Sequence, residues 1–370
     1  MKILVTGAKG FVGRNLTMEL KNQGYEHVMV FDVDTDSALL EKYVKKADFV
    51  FHLAGVNRPE TEEEFMTGNF GFTSKLLDLL KKYRSKASIM LSSSIQAELD
   101  NPYGKSKLAG EELLRAYGKE TGNLVYIYRF PNLYGKWSKP NYNSVVATFC
   151  HRIARGEEVV VHDRNYEVQL MYIDDVLKEM LRLLDGKGTK SGNFYEVPEV
   201  EITTVGEIYD LLMKFKGIRK DFELPKLDHL LEKNLYSTYL SYLPENDFSY
   251  ELKMNTDDRG SFTEFIRTPE RGQVSINVLK PGIVKGNHWH HTKNEKFLVV
   301  SGTGLIRFRH VDDEAKVIEY YVSGEKLEVV DIPVGYVHNI ENLGKTDMVT
   351  IMWVNEAFDP NQSDTYFMEV

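Results

Sequence analysis

Three glycines, Gly7, Gly10 and Gly13, follow directly on an aliphatic run, KILVTG (2–7), and open an amphipathic one. No other feature limits the fold as strongly. Glycine lets the backbone turn sharply from strand to helix and approach a ligand closely, and the helix start that follows offers free N–H groups to an anion such as a pyrophosphate. The periodicity predicts a helix over 11–24, with Val12, Leu16 and Leu20 on one face and Gly24 at its end. The next strand, VMVFDVD (28–34), carries Asp32, 19 residues after Gly13. An acidic residue there suits a ribose 2′-OH and hence NAD, whereas Lys9 and Arg14 suit a 2′-phosphate and hence NADP.

Further strands are predicted at ADFVFHLAG (47–55), ASIMLSSS (87–94) and LVYIYRF (124–130), with a helix over 74–84 and a helix-rich stretch to about Met213. This alternation predicts an α/β fold, a Rossmann-like, doubly wound parallel sheet. After a polar, turn-rich stretch (244–260) the texture changes. Short strand-like runs such as QVSINVLKPG, EKFLVVSGTG and KLEVVDIPVG recur, separated by Gly, Pro and Asp, as in an all-β jelly-roll barrel. The expected domains are therefore 1–243 and 244–370.

Composition narrows the partners. Lys and Arg number 46 against 55 Asp and Glu, a net charge of −9, which argues against nucleic acid or an anionic membrane surface. No apolar run approaches the ~18 residues of a membrane span, and the N-terminus does not read as a secretory signal. The single cysteine, Cys150, excludes an intrachain disulfide and a multi-cysteine zinc site. A cytoplasmic location is expected.

Tyr103 and Lys107 form Y-x-x-x-K, four residues apart on one helix face. A neighbouring ammonium favours the phenolate, so Lys107 is expected to lower the Tyr103 pKa. A tyrosine so placed can give a proton to a carbonyl as hydride arrives, and Ser94, ending its strand, can hydrogen-bond the same oxygen. Together, TGAKGFVG, ADFVFHLAG, SSS, PYGKSK, RFPNLYG (129–135) and MYIDDV (171–176) resemble, in order, the extended short-chain dehydrogenases/reductases acting on nucleotide sugars. The resemblance covers about the first 240 residues. It implies Ser94, Tyr103 and Lys107 as catalytic residues. The cofactor would lie on Gly7, Lys9, Gly10, Phe11, Val12, Gly13, Arg14, Asp32, Leu53 and Ala54 together with Tyr103 and Lys107. It also implies Asn132, with Arg129 and Gln169, on the sugar-nucleotide side. NADPH is expected over NADH, on Lys9, Arg14 and the likeness and against Asp32. The loop between Ser94 and Tyr103 is short for the family, and Lys136 and Trp137 stand where a proline is common.

The segment GNHWHHTKNEKFLVVSG (286–302) holds His288, His290, His291 and Glu295, and IPVGYVHNIEN (332–342) holds His338. Histidines at i and i+2 on a strand share a face. With Glu295 and His338 they can form a three-histidine, one-carboxylate site for zinc, iron, manganese or nickel. One divalent ion is expected, zinc first. The spacings resemble the two cupin motifs, and DDRGSFTEF (257–265) is similar to cupins that epimerise 4-keto-6-deoxy sugar nucleotides, which makes Arg259 and Glu264 candidates for nucleotide-sugar contact or architecture.

A sugar-nucleotide reductase followed by a metal-site cupin resembles a family of bacterial capsular-polysaccharide enzymes over the whole chain. The resemblance implies a bifunctional enzyme. The cupin would epimerise C3 of a UDP-2-acetamido-2,6-dideoxy-4-hexulose. The reductase would then reduce the C4 ketone with NADPH to UDP-N-acetyl-6-deoxy-L-talosamine, on the route to UDP-N-acetyl-L-fucosamine. The order is chemical: a C3–H is acidic only while C4 is a ketone. His291, Lys293 and Tyr336 lie near the motif as candidate bases. Two other readings stand beside this one. One is a plain reductase whose cupin serves dimerisation or substrate binding. The other is a redox-neutral epimerase or dehydratase. A homodimer is expected.

Overall fold

The aliphatic runs of the first half become β1 (Ile3–Thr6), β2 (Val28–Phe31), β3 (Phe49–His52), β4 (Ser88–Ser94) and β5 (Val125–Phe130) in a computed structural model that describes residues 1–268, 270–357 and 363–370. They lie parallel in the order β2-β1-β3-β4-β5, and two short strands, Phe194–Tyr195 and Lys190–Ser191, extend the sheet to seven. Buried on both faces, β1 and β3 read as continuous apolar runs because neither face meets water. Ile3, Val5, Phe49 and Phe51 pack with Leu16 and Leu20 of α1 (Phe11–Asn22). Leu4, Val50 and Ile89 face the other way, onto Leu40 of α2 (Ser37–Val44).

A short helix, α3 (Glu63–Phe65), runs through a π-helical segment, Met66–Gly71, into α4 (Phe72–Lys82). The long helix α5 (Pro102–Thr121) starts cleanly. Asn101 caps it by accepting the Gly104 N–H at 2.7 Å, Pro102 occupies its first turn, and Gly122 ends it with φ 74°. A separate three-stranded sheet joins β6 (Asn132–Tyr134), β7 (Glu167–Tyr172) and Glu201–Thr204, inside the stretch read from sequence as helix-rich.

The chain divides into two units, Met1–Met213 with Leu227–Pro244 and Lys214–Lys226 with Glu245–Val370. The expected boundary at 243/244 takes no account of Lys214–Lys226. This segment belongs with the second unit because its backbone pairs there. The Arg267 N–H donates to the Phe222 carbonyl at 2.7 Å, and the Leu224 N–H to the Arg267 carbonyl at 2.8 Å.

Beyond Lys214–Lys226 and a short 3-10 turn at Glu245–Asp247, the second unit is built of two antiparallel sheets. One sheet has six strands: Asn255–Asp257, Gly260–Thr268, Gly272–Leu279, Met348–Val354, Glu295–Ser301 and Val329–Ile332. The other has five: Val317–Ser323, Thr303–His310, Tyr336–Asn342, Val284–Trp289 and Tyr366–Phe367. Leu279, Phe297, Val299, Ile306, Phe308, Ile332, Ile340 and Met348 form their shared core. This is the cupin jelly roll. Among the described residues, no helix is long and apolar enough to cross a membrane.

Candidate functional site

The strand order reverses between β1 and β3, and in doubly wound sheets ligands bind in the crevice at the carboxyl ends of strands at such a point. Here that crevice is walled by the glycine loop and by residues 53–55. Gly7 sits at φ 67°, and a Cβ on it would lie 2.6 Å from the Ala54 nitrogen; one on Gly13 would lie 2.1 Å from the Gly7 oxygen. Side chains are excluded at both positions, so the backbone itself lines the crevice. No side chain caps the start of α1, whose N-cap is Gly10. Its first N–H groups and its dipole suit a pyrophosphate. Phe11, Val12 and Leu53 pack on the core beneath.

The 2′ end is less open than the sequence suggests. Asp32 accepts the Lys9 backbone N–H at 2.7 Å and the Val33 N–H at 2.8 Å. The Lys9 ammonium pairs with Asp34, and Arg14 lies 5.5 Å from the centre of the Trp137 ring. Both cations named for a 2′-phosphate thus have other partners.

Ser94 ends β4, its Oγ accepting the Gln96 N–H at 3.2 Å, and lies near enough to Tyr103, in the first turn of α5, to favour its phenolate. The Lys107 ammonium is buried, donates to the Ser92 carbonyl at 3.1 Å, and stands 5.7 Å from the centre of the Tyr103 ring. Burial lowers the Lys107 pKa to about 8 against an opposing pull from Glu111. The Tyr103 phenol moves opposite to expectation. Burial raises its pKa, and only Ser94 opposes that.

A buried polar chain runs beneath. His52 is 2.8 Å from both Thr6 Oγ1 and Thr73 Oγ1, and burial, then Lys107, lower its pKa to about 3, so it is neutral. The Thr73 hydroxyl donates to the Asn69 carbonyl, the Asn69 amide to Ser106 Oγ, and the Ser106 hydroxyl to the Tyr103 carbonyl. Sequence reading did not find these contacts; Thr6, His52, Asn69, Thr73 and Ser106 lie in separate segments without a spacing that links them.

Asn132 and Gln169 lie together on paired strands, the Asn132 amide donating to the Gln169 carbonyl at 3.2 Å. Arg129 is engaged elsewhere. It grips the buried Glu111 with two hydrogen bonds, at 2.8 and 2.7 Å, reaches Glu98 at 2.7 Å, and lies over Phe194. Ser93 donates to the same Glu111 oxygen at 2.6 Å. Arg129 therefore ties β5 to α5 and β4 rather than offering its donors to a sugar nucleotide.

In the β unit, His288 lies directly opposite His338 across paired strands, and His290 and Glu295 close the group. One potential ligand atom from each of the four lies within 4.8 Å of the others. Glu295 Oε2 is 3.1 Å from His338 Nε2 and 3.7 Å from His290 Nε2. None of these three buried atoms is aligned as a hydrogen bond. Burial pushes the Glu295 carboxyl up, but His290 and His338 outweigh it and hold it down to about 2, so it is a carboxylate. Burial lowers His288 to about 4. Convergent, unpartnered, buried nitrogen and oxygen atoms are the donor set a divalent ion such as zinc satisfies.

A bulge makes the convergence. The register shifts between Gly286 and His288, with Asn287 at φ 56°, and this turns His288 onto His338. His291 packs its ring on Trp289 and Tyr366, Lys293 is buried, and Tyr336 lies against His310. Arg259 pairs with Asp257, and Glu264 with Arg267.

Residues 3–197 match the NAD dependent epimerase/dehydratase family, and 255–366 match the polysaccharide biosynthesis C-terminal domain. A Pseudomonas aeruginosa protein, UDP-2-acetamido-2,6-beta-L-arabino-hexul-4-ose reductase, is 44% identical over 370 residues, which is 100% of this chain and 99% of that protein. The crystal structure of capsular polysaccharide assembling protein CapF from Staphylococcus aureus superposes with TM-score 0.95 at 64% identity, covering 100% of both chains. A second CapF structure, with the inhibitor 3-isopropenyl-tropolone, matches with TM-score 0.90 at 59% identity, again over 100% of both chains. The chain thus belongs to the NAD dependent epimerase/dehydratase family, in the two-part form that it shares with CapF, where a polysaccharide biosynthesis C-terminal domain follows the dinucleotide-binding fold.

Proposed function

We propose that this chain is a bifunctional enzyme of capsule precursor synthesis. Its cupin epimerises C3 of a UDP-2-acetamido-2,6-dideoxy-4-hexulose. Its α/β unit then reduces the C4 ketone with NADPH to UDP-N-acetyl-6-deoxy-L-talosamine, on the route to UDP-N-acetyl-L-fucosamine. The observation that carries the reduction is the Ser94–Tyr103 pair beside the buried Lys107. The Pseudomonas relative, a hexulose reductase by name, favours net reduction over a redox-neutral reaction.

The bound dinucleotide supplies the hydride. Tyr103 supplies the proton. A phenol whose pKa is raised keeps that proton until charge develops on the C4 oxygen, and then gives it up along the hydrogen bond. Ser94 donates to the same oxygen, and the Lys107 ammonium favours the phenolate as it forms. The glycine loop, the start of α1 and Ala54 hold the dinucleotide. The choice of NADPH rests on Lys9 and Arg14, which would exchange Asp34 and Trp137 for the 2′-phosphate; a higher kcat/KM with NADH reverses it.

In the cupin, His288, His290, Glu295 and His338 would hold one divalent ion, zinc by donor type, which supplies Lewis-acid polarisation of a ketone. The inhibitor in the second CapF structure is a tropolone, whose adjacent oxygens are a chelating pair, and this suits such a centre. The working unit proposed is a homodimer, which light scattering checks.

The test is the UDP-4-ketosugar with NADPH in D2O, with products read by NMR. NADPH consumption and deuterium at C3 are expected. If no NADPH is consumed, the reductase reading falls. Consumption without deuterium at C3 reduces the cupin to a binding or dimerisation module.

A further inference from the structure

The residues that carry His288 and His290 are held along their length by one distant segment, the C-terminal tail. The Met368 N–H donates to the carbonyl of the bulged Asn287 at 3.0 Å. Tyr366–Phe367 pair as a strand with Trp289 and His288. The Tyr366 ring packs 5.1 Å from those of Trp289 and His291. The Asp364 carbonyl is hydrogen-bonded to His290 Nδ1. The Asp364 carboxylate accepts the backbone N–H of His291 at 3.0 Å, of Thr292 at 2.8 Å and of Lys293 at 3.0 Å, and the Thr292 hydroxyl at 3.0 Å. At the far end, Arg309 donates to the Glu369 carbonyl at 2.6 Å.

We propose that the tail is a built-in part of the metal centre, with Asp364 as a positioning residue that orients His290 toward the ion. The inference rests on the metal-centre reading given above. Two contacts of one residue do the work together. The carbonyl accepts a hydrogen bond from His290 Nδ1–H, which fixes the tautomer and leaves Nε2 with a free lone pair. Nε2 is one of the buried atoms without a hydrogen-bond partner, and it lies 3.7 Å from Glu295 Oε2. The carboxylate clamps the turn that follows His290, so the carbonyl cannot drift from the ring. Partners of this kind, just outside a metal's own ligands, typically change metal affinity by about 10–100-fold when removed. His338 has a longer and local partner of the same kind, its Nδ1 being 3.5 Å from the Tyr336 carbonyl two residues earlier. His290 is thus the ligand whose aim depends on a residue 74 positions away in sequence.

The test uses the full chain. Wild type, Asp364→Ala and Asp364→Asn are stripped, checked for folding by circular dichroism, and titrated with zinc against a chromophoric chelator. Each is also loaded with cobalt(II), whose visible absorption reports the ligand field. Asp364→Ala should bind zinc about 10–100-fold more weakly. Its cobalt band should shift in position and intensity, which a general loss of stability would not cause. Asp364→Asn keeps one acceptor oxygen and should fall between, and it carries the test if the alanine variant fails to fold. Folded variants with wild-type zinc affinity and an unchanged cobalt band would overturn the tail's role and leave the metal centre standing. Wild type that takes up neither ion would overturn both.

Discussion

In the α/β unit the candidate site is mostly backbone, whereas in the β unit it is mostly side chain. The dinucleotide crevice is shaped by two glycines at which any Cβ would strike main chain, and by an uncapped helix start. Its candidate catalytic residues, Ser94, Tyr103 and Lys107, come from one strand end and the first turns of one helix. The candidate donors of the cupin cluster come from separate strands and the turn beside them, next to a bulge and the C-terminal tail. The first kind of site suits a large cofactor that brings its own reactivity. The second suits a small ion that needs several donors to converge. The difference predicts that substitutions damage the two sites separately and in different ways.

The largest effect tests the reductase side. Tyr103→Phe removes the proton donor without altering the packing, so NADPH oxidation against the ketosugar should fall by about 10²–10⁴-fold. Metal content should stay as in wild type. Wild-type turnover in this variant would end the assignment of Tyr103 and blur the distinction between the sites.

The mirror experiment acts on the cupin. His338→Ala should take the bound metal from about one equivalent to near none by elemental analysis, and C3 deuterium exchange should go with it. Full retention of metal would show that the four-residue set is wrong.

Lys107 sharpens the comparison through stability. Its pKa falls from 10.5 unfolded to about 8 folded because burial disfavours the ammonium. Between these values the unfolded chain binds the extra proton, so the native state gains stability as pH rises through that window and is penalised below it. Lys107→Met should therefore stabilise the protein at pH 7 by up to about 3 kcal/mol in denaturant unfolding while abolishing reduction. The advantage should shrink as pH rises from about 8 to 10.5. An inactive variant less stable than wild type would mean that the ammonium is not held at a cost.

Gly7→Ala tests the backbone nature of the crevice. At φ 67°, with main chain 2.6 Å away, it should cost about 1–3 kcal/mol and weaken dinucleotide binding by calorimetry. Zinc affinity should not change. The smallest effect is expected at Lys9, which is exposed and paired with Asp34. Lys9→Ala should lower kcat/KM for NADPH by a few-fold, leaving NADH alone. Equal losses for both cofactors would remove Lys9 from 2′-phosphate recognition.

Much of both sites is legible along the chain because the chemistry is local there. A strand followed by glycines at fixed spacing has few conformations available, and Y-x-x-x-K on a helix shares a face by geometry. The pairing of His288 and His290 is legible from the strand period, although the strand ends at Trp289 and His290 lies just beyond it. What the chain does not show are the partners that folding brings. Arg129 looks like a free cation in RFPNLYG, yet Glu111, 18 residues earlier, grips it with both oxygens. Lys9 and Arg14 look available, yet Asp34 and Trp137 hold them. The Lys214–Lys226 segment looks like the end of the first domain, yet its backbone pairs with the Arg267 strand.

The sequence by itself determined where the chain turns, which residues share a helix face or strand face, and which residue types are present for proton transfer or metal binding. These depend on local sterics and on periods of a few residues. Only the tertiary structure decided which charges are paired, in which direction the surroundings shift Tyr103, and that Asp364 lies against His290 and the turn that follows it. Those outcomes depend on burial and on distances between residues remote in sequence. A phenol's pKa or a histidine's aim is set by the low-dielectric surroundings and the partner that folding brings to it.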